Sequence, residues 1–319
     1  MNRRIFLGSL AAVGLQGSAV TLNASSMKRL LGPRRNKKAS MQMDSNLVVF
    51  ISDMHVKPAG YEGEKLKRVV DEILRMSPLP GNVIGLGDLS NLYGRVEDYE
   101  AAKPILQPLE DAGIRLTLAM GNHDRRENFA RVFPEKAAST RVPGRMVYIV
   151  ETPRVDFIVL DSLDQSEDAT QWITPGTLDS GQRNWLATTL QSYAKPVIVC
   201  AHHPIHETRV TDLIAKNPTC CGYIHGHDHR WRVGWSDINY STQDILRTLC
   251  LPSTGFWGDI GYTIFRQGEY SATATLVMLE YFYHTPLREG EEKPLQWTLI
   301  EQDNNGACCR FSCRRAWRK

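Results

Sequence analysis

Five short polar clusters, each directly after a strand-like apolar run, constrain the fold of this chain more than any other feature. They are Asp53 and His55 in ISDMHV, Asp88 and Asn91 in GDLSN, Asn122, His123 and Asp124 in GNHD, His202 and His203 in HHP, and His225, His227 and His229 in HGHDH. The clusters hold seven of the nine histidines of the chain, which core packing does not explain. Because ligands of open α/β sheets bind beyond the carboxyl ends of strands, the five ends are expected to converge on one site.

Strand-like and helix-like runs alternate from residue 46 to residue 229, which is typical of an α/β domain. The segments 62–76 and 179–194 have helical apolar spacing or an Asp/Ser cap, and 96–113 is helical but interrupted by Pro104 and Pro108. After residue 229, strand-like runs follow one another without long helices between them. This order predicts two sheets with flanking helices.

The clusters offer carboxylate, amide and imidazole donors but no thiolate, a set that suits Mn, Fe, Co, Ni or Zn. The potential ligands are Asp53, His55, Asp88, Asn122, His202, His227 and His229. These are too many for one ion, whereas two ions that share one carboxylate would use them all. Two-metal sites hold their ions roughly 3.5–4 Å apart. The sequence therefore predicts a binuclear centre of first-row metal ions.

The ordered motifs D-x-H, G-D-x-x-N, G-N-H-D, H-x-P and G-H-x-H resemble those of the calcineurin-like metallophosphoesterase superfamily over residues 53–229. GNHDRRENFARVF and LPSTGFWGDIGYTIF are similar to segments of the branch that contains class III cyclic-nucleotide phosphodiesterases and glycerophosphodiesterases. The resemblance implies an α/β fold, a four-layer α/β/β/α sandwich of two mixed sheets flanked by helices.

Carried over residue by residue, the resemblance implies two metal positions and one residue that meets the substrate. Asp53, His55 and His229 would hold the first ion, Asn122, His202 and His227 the second, and Asp88 would bridge both. His123 would face the scissile phosphate without binding metal. Either Asn91, which the resemblance favours, or Asp124 would orient His123. Asp124 is alternatively the cap of the helix that follows it.

Other side chains are candidates for substrate contacts or supporting roles. His203 either contacts the substrate near the phosphate or makes a supporting hydrogen bond. Trp257 in GFWGD is the best candidate for stacking on a base. Supporting or solvated roles are predicted for His206 and His225, and core positions for Trp231 and Trp235.

The implied reaction is hydrolysis of small phosphodiesters, of nucleotide or glycerophosphodiester type, by a hydroxide that bridges the two ions. Metal binding lowers the pKa of water from 15.7 toward ~7, and an imidazole with a reference pKa near ~6.5 suits protonation of the leaving group. A phosphomonoesterase of the same fold is one alternative. A non-catalytic periplasmic metal-binding protein is another, although it would not need His123.

The N-terminal segment differs in composition from the rest of the chain. NRRIFL and the weakly apolar run behind it resemble a twin-arginine export signal, although Asn2 stands where Ser or Thr is usual. A Sec signal or an uncleaved anchor is the alternative. The resemblance predicts recognition by an export translocase and a periplasmic or extracellular location.

The leader also determines the net charge of +3. Eight of the 38 basic residues and none of the 35 acidic residues precede residue 41, so the remainder carries a net charge of −5. Binding of a nucleic-acid polymer is therefore not expected. We predict an export signal and basic linker in 1–40, a single phosphoesterase domain in 41–300 and a peripheral tail in 301–319.

The cysteines fall into two groups. Cys200, Cys220 and Cys250 lie in apolar runs and are predicted to pack as small apolar side chains. Cys308, Cys309 and Cys313 lie in the C-terminal CCRFSC, where an oxidising compartment would permit a disulfide.

Overall fold

The computed structural model describes residues 42–215, 217–235, 246–255, 258–269, 271–280, 301–303 and 306–311. The chain divides between Ser40 and Met41, and every described residue belongs to the unit Met41–Lys319. The predicted leader, Trp257 and Cys313 lie outside the described residues.

Two sheets and their connecting helices make up the described fold. The strands are β1 (Met43–Ile51), β2 (Leu79–Leu86), β3 (Arg115–Ala119), β4 (Tyr148–Val150), β5 (Asp156–Val159), β6 (Val197–Cys200), β7 (Cys220–His225), β8 (Arg232–Trp235), β9 (Arg247–Cys250), β10 (Ile260–Gln267), β11 (Ala272–Glu280), β12 (Glu301–Asp303) and β13 (Gly306–Phe311). The helices are α1 (Tyr61–Leu74), α2 (Val96–Asp111), α3 (Arg126–Val132), α4 (Pro134–Ala138), α5 (Ser180–Ser192), α6 (Ile205–Thr208) and α7 (Thr211–Ile214).

The strand order places the polar clusters on neighbouring parallel strands. One sheet has the order β12-β13-β11-β10-β1-β2-β3 and the other the order β4-β5-β6-β7-β9-β8. Strands β1, β2 and β3 are parallel, as are β5, β6, β7 and β9. Since parallel strands end on the same edge of a sheet, the loops after β1, β2 and β3 are neighbours, as are those after β6 and β7.

The helices that join these strands bury one apolar face each. In α1, Leu66, Val69, Val70 and Ile73 are buried, as the helical spacing predicts. Helix α2 runs unbroken through Pro104 and Pro108, so the predicted interruption does not occur. Burial of Tyr99, Ala102, Leu106 and Leu109 holds α2 together against the lost main-chain hydrogen bonds. Helix α5 begins with the predicted Asp179 cap, which accepts the Gln182 N–H at 2.8 Å.

Alternating residues of β5 show how the layers pack. Phe157 lies in the core between the sheets, with its ring 5.3 Å from that of Phe50 on β1 and 5.1 Å from that of Phe265 on β10. Ile158 points the other way and packs in a second core with Leu186 of α5. The two mixed sheets therefore face each other with helices outside, which confirms the predicted four-layer sandwich.

The C-terminal tail is not peripheral where the structure describes it, and this part of the prediction is wrong. Strand β13 pairs with β11, and β12 pairs with β13, so both strands extend the first sheet. Phe311 is buried, with its ring 5.7 Å from that of Phe265. The Cys and Arg content of the segment gave no sign of a strand. An open sheet edge pairs through main-chain groups, so almost any extended segment can join it.

The cysteine and tryptophan predictions have separate outcomes. Cys200, Cys220 and Cys250 are buried, as is Trp231, which confirms their predicted core positions. The side chains of Trp235, Cys308 and Cys309 lie outside the described part of the structure, so the disulfide stays a prediction. None of the helices in the described ranges has both the length and the apolar character that crossing a membrane requires.

Candidate metal centre

The first ligand-bearing loop follows β1 and runs beside the loop that follows β2. The N–H of Asp53 donates to the carbonyl of Gly87 at 3.2 Å, and that of His55 donates to the carbonyl of Asp88 at 2.8 Å. These bonds continue the parallel pairing of β1 and β2 beyond the strands. The side chains of Asp53, His55 and Asp88 are consequently held together, and all three are buried.

Four of these residues form a first cluster, composed of Asp53, His55, Asp88 and His229. One potential ligand atom from each lies within 4.8 Å of those of the other three. His229 Nε2 is 3.2 Å from Asp53 Oδ1, and His55 Nε2 is 3.5 Å from Asp88 Oδ2. The two imidazole Nε2 atoms are 3.3 Å apart. A single cation could contact all four groups after small side-chain adjustments.

A second cluster, composed of Asn122, His202 and His227, lies next to the first. The Oδ1 atom of Asn122 is 3.1 Å from His202 Nε2 and 3.0 Å from His227 Nδ1. Asp88 Oδ2 lies 3.2 Å from His202 Nε2, which places this carboxylate between the two clusters. The structure thus brings all seven predicted ligands together in the predicted partition, although metal binding itself stays a prediction.

The hydrogen bonds of the histidines suit the donor set to metal ions. His55 Nδ1 donates to the carbonyl of Asn91 at 2.9 Å, and His202 Nδ1 donates to the carbonyl of Leu86 at 2.8 Å. A carbonyl can only accept, so Nδ1 of each ring holds a proton, and Nε2 offers its lone pair toward the carboxylates once any second proton has left the ring. Lone pairs of nitrogen and oxygen that converge in this way need a cation between them. First-row metal ions prefer this mixture of imidazole, carboxylate and amide donors.

The electrostatics of the clusters favour the ligand forms of the side chains. Burial alone would raise the pKa of Asp53, but His229 and His202 outweigh burial and keep it below its ordinary value. Burial lowers the pKa of His55 to about 4, so its ring is neutral at pH 7. Burial would also lower the pKa of His202, but Asp88 opposes it and the pKa rises to about 10. His202 therefore carries a proton that a metal ion would displace.

The backbone at the clusters is unusual for residues other than glycine. Positive φ angles occur at five of the seven predicted ligands, namely Asp53, His55, Asp88, His227 and His229. Such a conformation costs on the order of 1–3 kcal/mol per residue and persists where the surrounding structure imposes it. Asp and His tolerate it better than most residues do. The strain indicates that the fold holds these side chains in place for a function.

Comparison with known proteins identifies the family. The calcineurin-like phosphoesterase family matches residues 47–231, which is more than half of the chain. This chain belongs to that family. Membership supports a metal-dependent phosphoester hydrolase, and the two clusters lie within the matched residues.

One sequence relative and one solved structure illustrate the likeness. A probable cyclic nucleotide phosphodiesterase of Rhodopseudomonas palustris is 27% identical over 168 residues, which are 50% of this chain and 58% of that protein. The crystal structure of a dimetal phosphatase from Danio rerio covers 74% of this chain and 99% of its own, with a TM-score of 0.55 and 13% identity. At that identity, the structural likeness shows the fold alone.

His123 lies beside the clusters of the phosphoesterase without belonging to either. Its main-chain N–H donates to Asp88 Oδ1 at 2.8 Å, and its ring lies 5.2 Å from that of His55. Its Nδ1 donates to the carbonyl of Leu92 at 2.9 Å. The prediction that Asn91 orients His123 is therefore wrong, because the next residue, Leu92, supplies the carbonyl that holds the ring. The carbonyl of Asn91 holds His55 instead, because two successive carbonyls in this loop point toward different rings.

Asp124 neither orients His123 nor caps the following helix, and both predictions for it are wrong. Its carboxylate accepts four hydrogen bonds, from the N–H groups of Leu89, Ser90 and Gly121 and from the hydroxyl of Tyr99. These donors use its acceptor capacity, and helix α3 begins without a side-chain cap. Burial and the nearby Asp88 raise the pKa of Asp124 to about 6. The residue ties the loop after β2 to the loop after β3.

His203 lies fully buried against the second cluster. Its Nδ1 is 2.8 Å from the hydroxyl of Ser162, and one of its ring nitrogens lies within 4.8 Å of ligand atoms of His202 and His227. Its Nε2 has no hydrogen-bond partner among the described residues. Both predicted alternatives, a substrate contact and a supporting hydrogen bond, agree with this position. Of the other two histidines in the described part of the chain, His206 is exposed, and His225 is buried with Nδ1 hydrogen-bonded to the carbonyl of Gly226 at 2.8 Å.

The structure adds two aromatic residues that the sequence did not reveal. The ring of Trp172 lies 4.9 Å from that of His123, and the ring of Tyr93 lies 5.6 Å from that of Trp172. Trp172 belongs to a long segment without strand or helix, so no periodic pattern pointed to it. Tyr93 was the easier of the two to find, since it lies two residues after Asn91 in a motif already singled out.

Proposed function

We propose that this phosphoesterase hydrolyses small phosphodiesters with two bound first-row metal ions, and that His123 protonates the leaving alkoxide. The observation that carries the proposal is the position of His123 outside both clusters, with its main-chain N–H hydrogen-bonded to Asp88 and its ring 5.2 Å from that of His55. Asp88 lies between the clusters, so a phosphate bound there would be within reach of the His123 ring. A residue with this placement is available for proton transfer because it is not needed as a ligand.

The seven cluster residues are the proposed metal ligands. Asp53, His55 and His229 would hold one ion, Asn122, His202 and His227 the other, and Asp88 both. When bound, the ions would supply an activated water, with a pKa lowered from 15.7 toward ~7, and positive charge beside the phosphoryl oxygens. Because both carboxylates and most of the imidazoles are buried, this charge would act in a medium of low dielectric constant.

The tautomer of His123 suits the proposed proton transfer. Because Nδ1 donates to the carbonyl of Leu92, the proton available for transfer would be the one on Nε2. That proton would move to the leaving oxygen as the bond from phosphorus to oxygen breaks, which leaves a neutral ring still held by Leu92. General acid catalysis of this kind contributes typically 10²- to 10⁴-fold in rate.

The preference for diesters rests on similarity. The related Rhodopseudomonas palustris protein is named as a probable cyclic nucleotide phosphodiesterase, and this chain spans 58% of its length. The segments GNHDRRENFARVF and LPSTGFWGDIGYTIF resemble the same branch. Nucleotide diesters and glycerophosphodiesters are the proposed substrate types, and phosphomonoesters are the alternative.

A substrate panel on metal-loaded protein tests the proposal. The protein is stripped with chelator, loaded separately with Mn, Fe, Co, Ni or Zn, and assayed with bis(p-nitrophenyl) phosphate, p-nitrophenyl phosphate and cyclic AMP. We expect metal-dependent turnover with a higher kcat/KM for diesters than for the monoester. Higher kcat/KM for the monoester would favour the phosphomonoesterase alternative. Bound metal without turnover of any of these esters would contradict the proposal and favour a non-catalytic metal-binding protein.

The role of His123 is tested by varying the leaving group. A nitrophenolate departs without a proton, whereas the ribose alkoxide of a cyclic nucleotide needs one. His123→Ala should therefore lose about 10²- to 10⁴-fold in kcat with cyclic AMP and much less with bis(p-nitrophenyl) phosphate. Its metal content should stay at that of the wild-type protein. Loss of metal in this variant would show that His123 is a ligand and that the proposed role is wrong.

We also propose that the protein is exported through a twin-arginine translocase. The support is the NRRIFL motif, the weakly apolar run after it and the absence of acidic residues in 1–40. Fusion of residues 1–40 to a reporter that matures only outside the cytoplasm tests this, with Arg3→Lys and Arg4→Lys together as the control. Export that is unaffected by the double substitution would contradict the proposal.

A further inference from the structure

An exposed aromatic surface lies directly beside His123. Trp172 is 42% exposed, and only Met43 and Tyr61 are comparably exposed among the large apolar side chains in the described part of the chain. The rings of His123 and Tyr93 lie 4.9 Å and 5.6 Å from that of Trp172. A tryptophan left half in water next to a proposed catalytic residue is in a position to contact a ligand.

The loop that carries Trp172 is held in place by the arginine that follows the GNHD motif. Arg125 is buried, and its guanidinium donates to the carbonyls of Ser166 at 2.7 Å and Asp168 at 2.8 Å. Within the loop, the carboxylate of Asp168 accepts the N–H of Thr170 at 2.8 Å. These hydrogen bonds anchor the loop at residues that shortly precede Trp172.

A second arginine reinforces this connection. Arg126 makes two hydrogen bonds to the carboxylate of Asp161, at 2.7 Å and 2.8 Å, and donates to the carbonyl of Leu163 at 2.7 Å. Because Arg125 and Arg126 follow His123 within three residues, the segment that positions His123 also positions the loop of Trp172. The two rings, 4.9 Å apart, therefore belong to segments that these arginines join.

The space around the rings decides where a ligand would lie. A cavity of about 10 Å³ lies beside Tyr93, His123 and Trp172, which is room for little more than one water molecule. A planar ring does not fit between Trp172 and His123. It would have to lie on the exposed side of Trp172, with its phosphate toward His123. The guanidinium of Arg95 lies 5.5 Å from the ring centre of Tyr93 and adds positive charge at the edge of this surface.

We propose that Trp172 and Tyr93 form a stacking surface that binds a nucleobase attached to the scissile phosphate, and so select nucleotide diesters over glycerophosphodiesters. This inference rests on the proposed function, because it assumes that the phosphate lies at the metal clusters. Aromatic side chains stack on every base with little sequence preference, so the surface would accept purines and pyrimidines alike. A glycerol ester has no planar group to place there.

Binding of two phosphate ligands that differ only in the attached group tests the inference. The affinities of metal-loaded protein for AMP and for glycerol 3-phosphate are measured by calorimetry, in the wild type and in Trp172→Leu. We expect Trp172→Leu to weaken binding of AMP by about tenfold or more and to leave binding of glycerol 3-phosphate unchanged. Trp172→Phe should retain most of the affinity for AMP, because a smaller ring still stacks.

Tyr61→Leu is the matched control, because Tyr61 is an exposed aromatic residue with its ring near Lys65, on helix α1, which carries none of the proposed ligands. It should leave both affinities unchanged. Equal losses for AMP and glycerol 3-phosphate in Trp172→Leu, or no loss of AMP, would overturn the inference. Because binding is measured without turnover, a stacking effect in a protein that hydrolyses no ester would overturn the proposed function and leave the surface standing. Turnover of nucleotide diesters with a KM that does not change in Trp172→Leu would overturn the stacking surface and leave the proposed function standing.

Discussion

The carboxylate of Asp124 accepts a hydrogen bond from the main-chain N–H of Ser90 at 3.1 Å, across 34 residues of sequence. The other donors to the same carboxylate are the N–H groups of Leu89 and Gly121 and the hydroxyl of Tyr99. Asp88 directly precedes the donor Leu89, and Asn122 directly follows the donor Gly121. Asp124 therefore fixes the distance between the carboxylate that lies between the clusters and the amide of the second cluster.

Replacing Asp124 is expected to weaken both folding and metal binding. Asp124→Ala leaves buried N–H groups without acceptors, and each costs about 1–3 kcal/mol. Asp124→Asn keeps one acceptor oxygen but turns an NH₂ group toward other donors, so it should recover only part of the loss. Urea unfolding of the metal-free variants and metal content after dialysis measure the two effects.

The control for this change is Asp71→Asn, which alters an exposed carboxylate on α1 paired with Lys67. It should change the free energy of unfolding by no more than about 0.5 kcal/mol. Wild-type stability and metal content in Asp124→Ala would contradict the role assigned to this residue.

The ligand set could be predicted from sequence because each ligand lies within a few residues of a strand end. The chain order of Asp53, Asp88, Asn122, His202 and His227 follows the order of their strands, and strand polarity then brings them together. The hydrogen bonds of Asp124 could not be predicted in this way. Its donors come from separate loops, and their distances depend on how the finished sheet aligns those loops.

The aromatic surface and the tail were missed for a related reason. Trp172 follows His123 by a long segment without regular structure, and Arg125 determines its position through main-chain carbonyls, which have no sequence signature. Strand β13 joins the sheet through main-chain pairing with β11, to which its composition gives no clue. Main-chain contacts of this kind become visible only when the fold is known.

Gly121 is expected to tolerate no larger residue, for reasons of space. A Cβ atom at this position would overlap Oδ1 and the main-chain nitrogen of Asp88. The φ of Gly121 lies outside the left-handed region, so backbone strain is not the cause. Gly121→Ala should displace Asp88 and reduce the metal bound per chain. Gly181→Ala on α5, where the added Cβ approaches only Asp179, is the control. Metal content and turnover that survive Gly121→Ala would argue against Asp88 as the shared ligand.

Metal loading is expected to release a proton from His202. Burial would lower the pKa of this ring, but Asp88 raises it to about 10, so the metal-free ring is protonated at pH 7.5. In the metal-free protein, the interaction of protonated His202 with Asp88 contributes fully to the free energy of unfolding below pH ~6.5. This contribution is lost as the pH rises toward 10. Calorimetric titration with metal in buffers of different ionisation enthalpy counts the protons released. His202→Asn should release about one proton fewer than the wild type.

Asn122→Ala serves as the control for this measurement, because it removes a ligand that carries no titratable proton. For each metal ion that Asn122→Ala still binds, the number of protons released should equal that of the wild type. Equal release from His202→Asn and Asn122→Ala would show that His202 is neutral before metal binds.

Phe311 is expected to be essential for stability, because β13 completes the core of the first sheet. The side chain is buried, packs on Phe265, and occupies space that only a glycine at position 222 leaves open. Truncation of a buried Phe removes its transfer free energy and leaves a cavity, so Phe311→Ala should cost about 3–5 kcal/mol. Met43→Ala, at the exposed start of β1, should cost far less. Thermal and urea unfolding of both variants provide the comparison. If Phe311→Ala unfolds like Met43→Ala, the C-terminal segment contributes no core contact, and the sheet ends at β11.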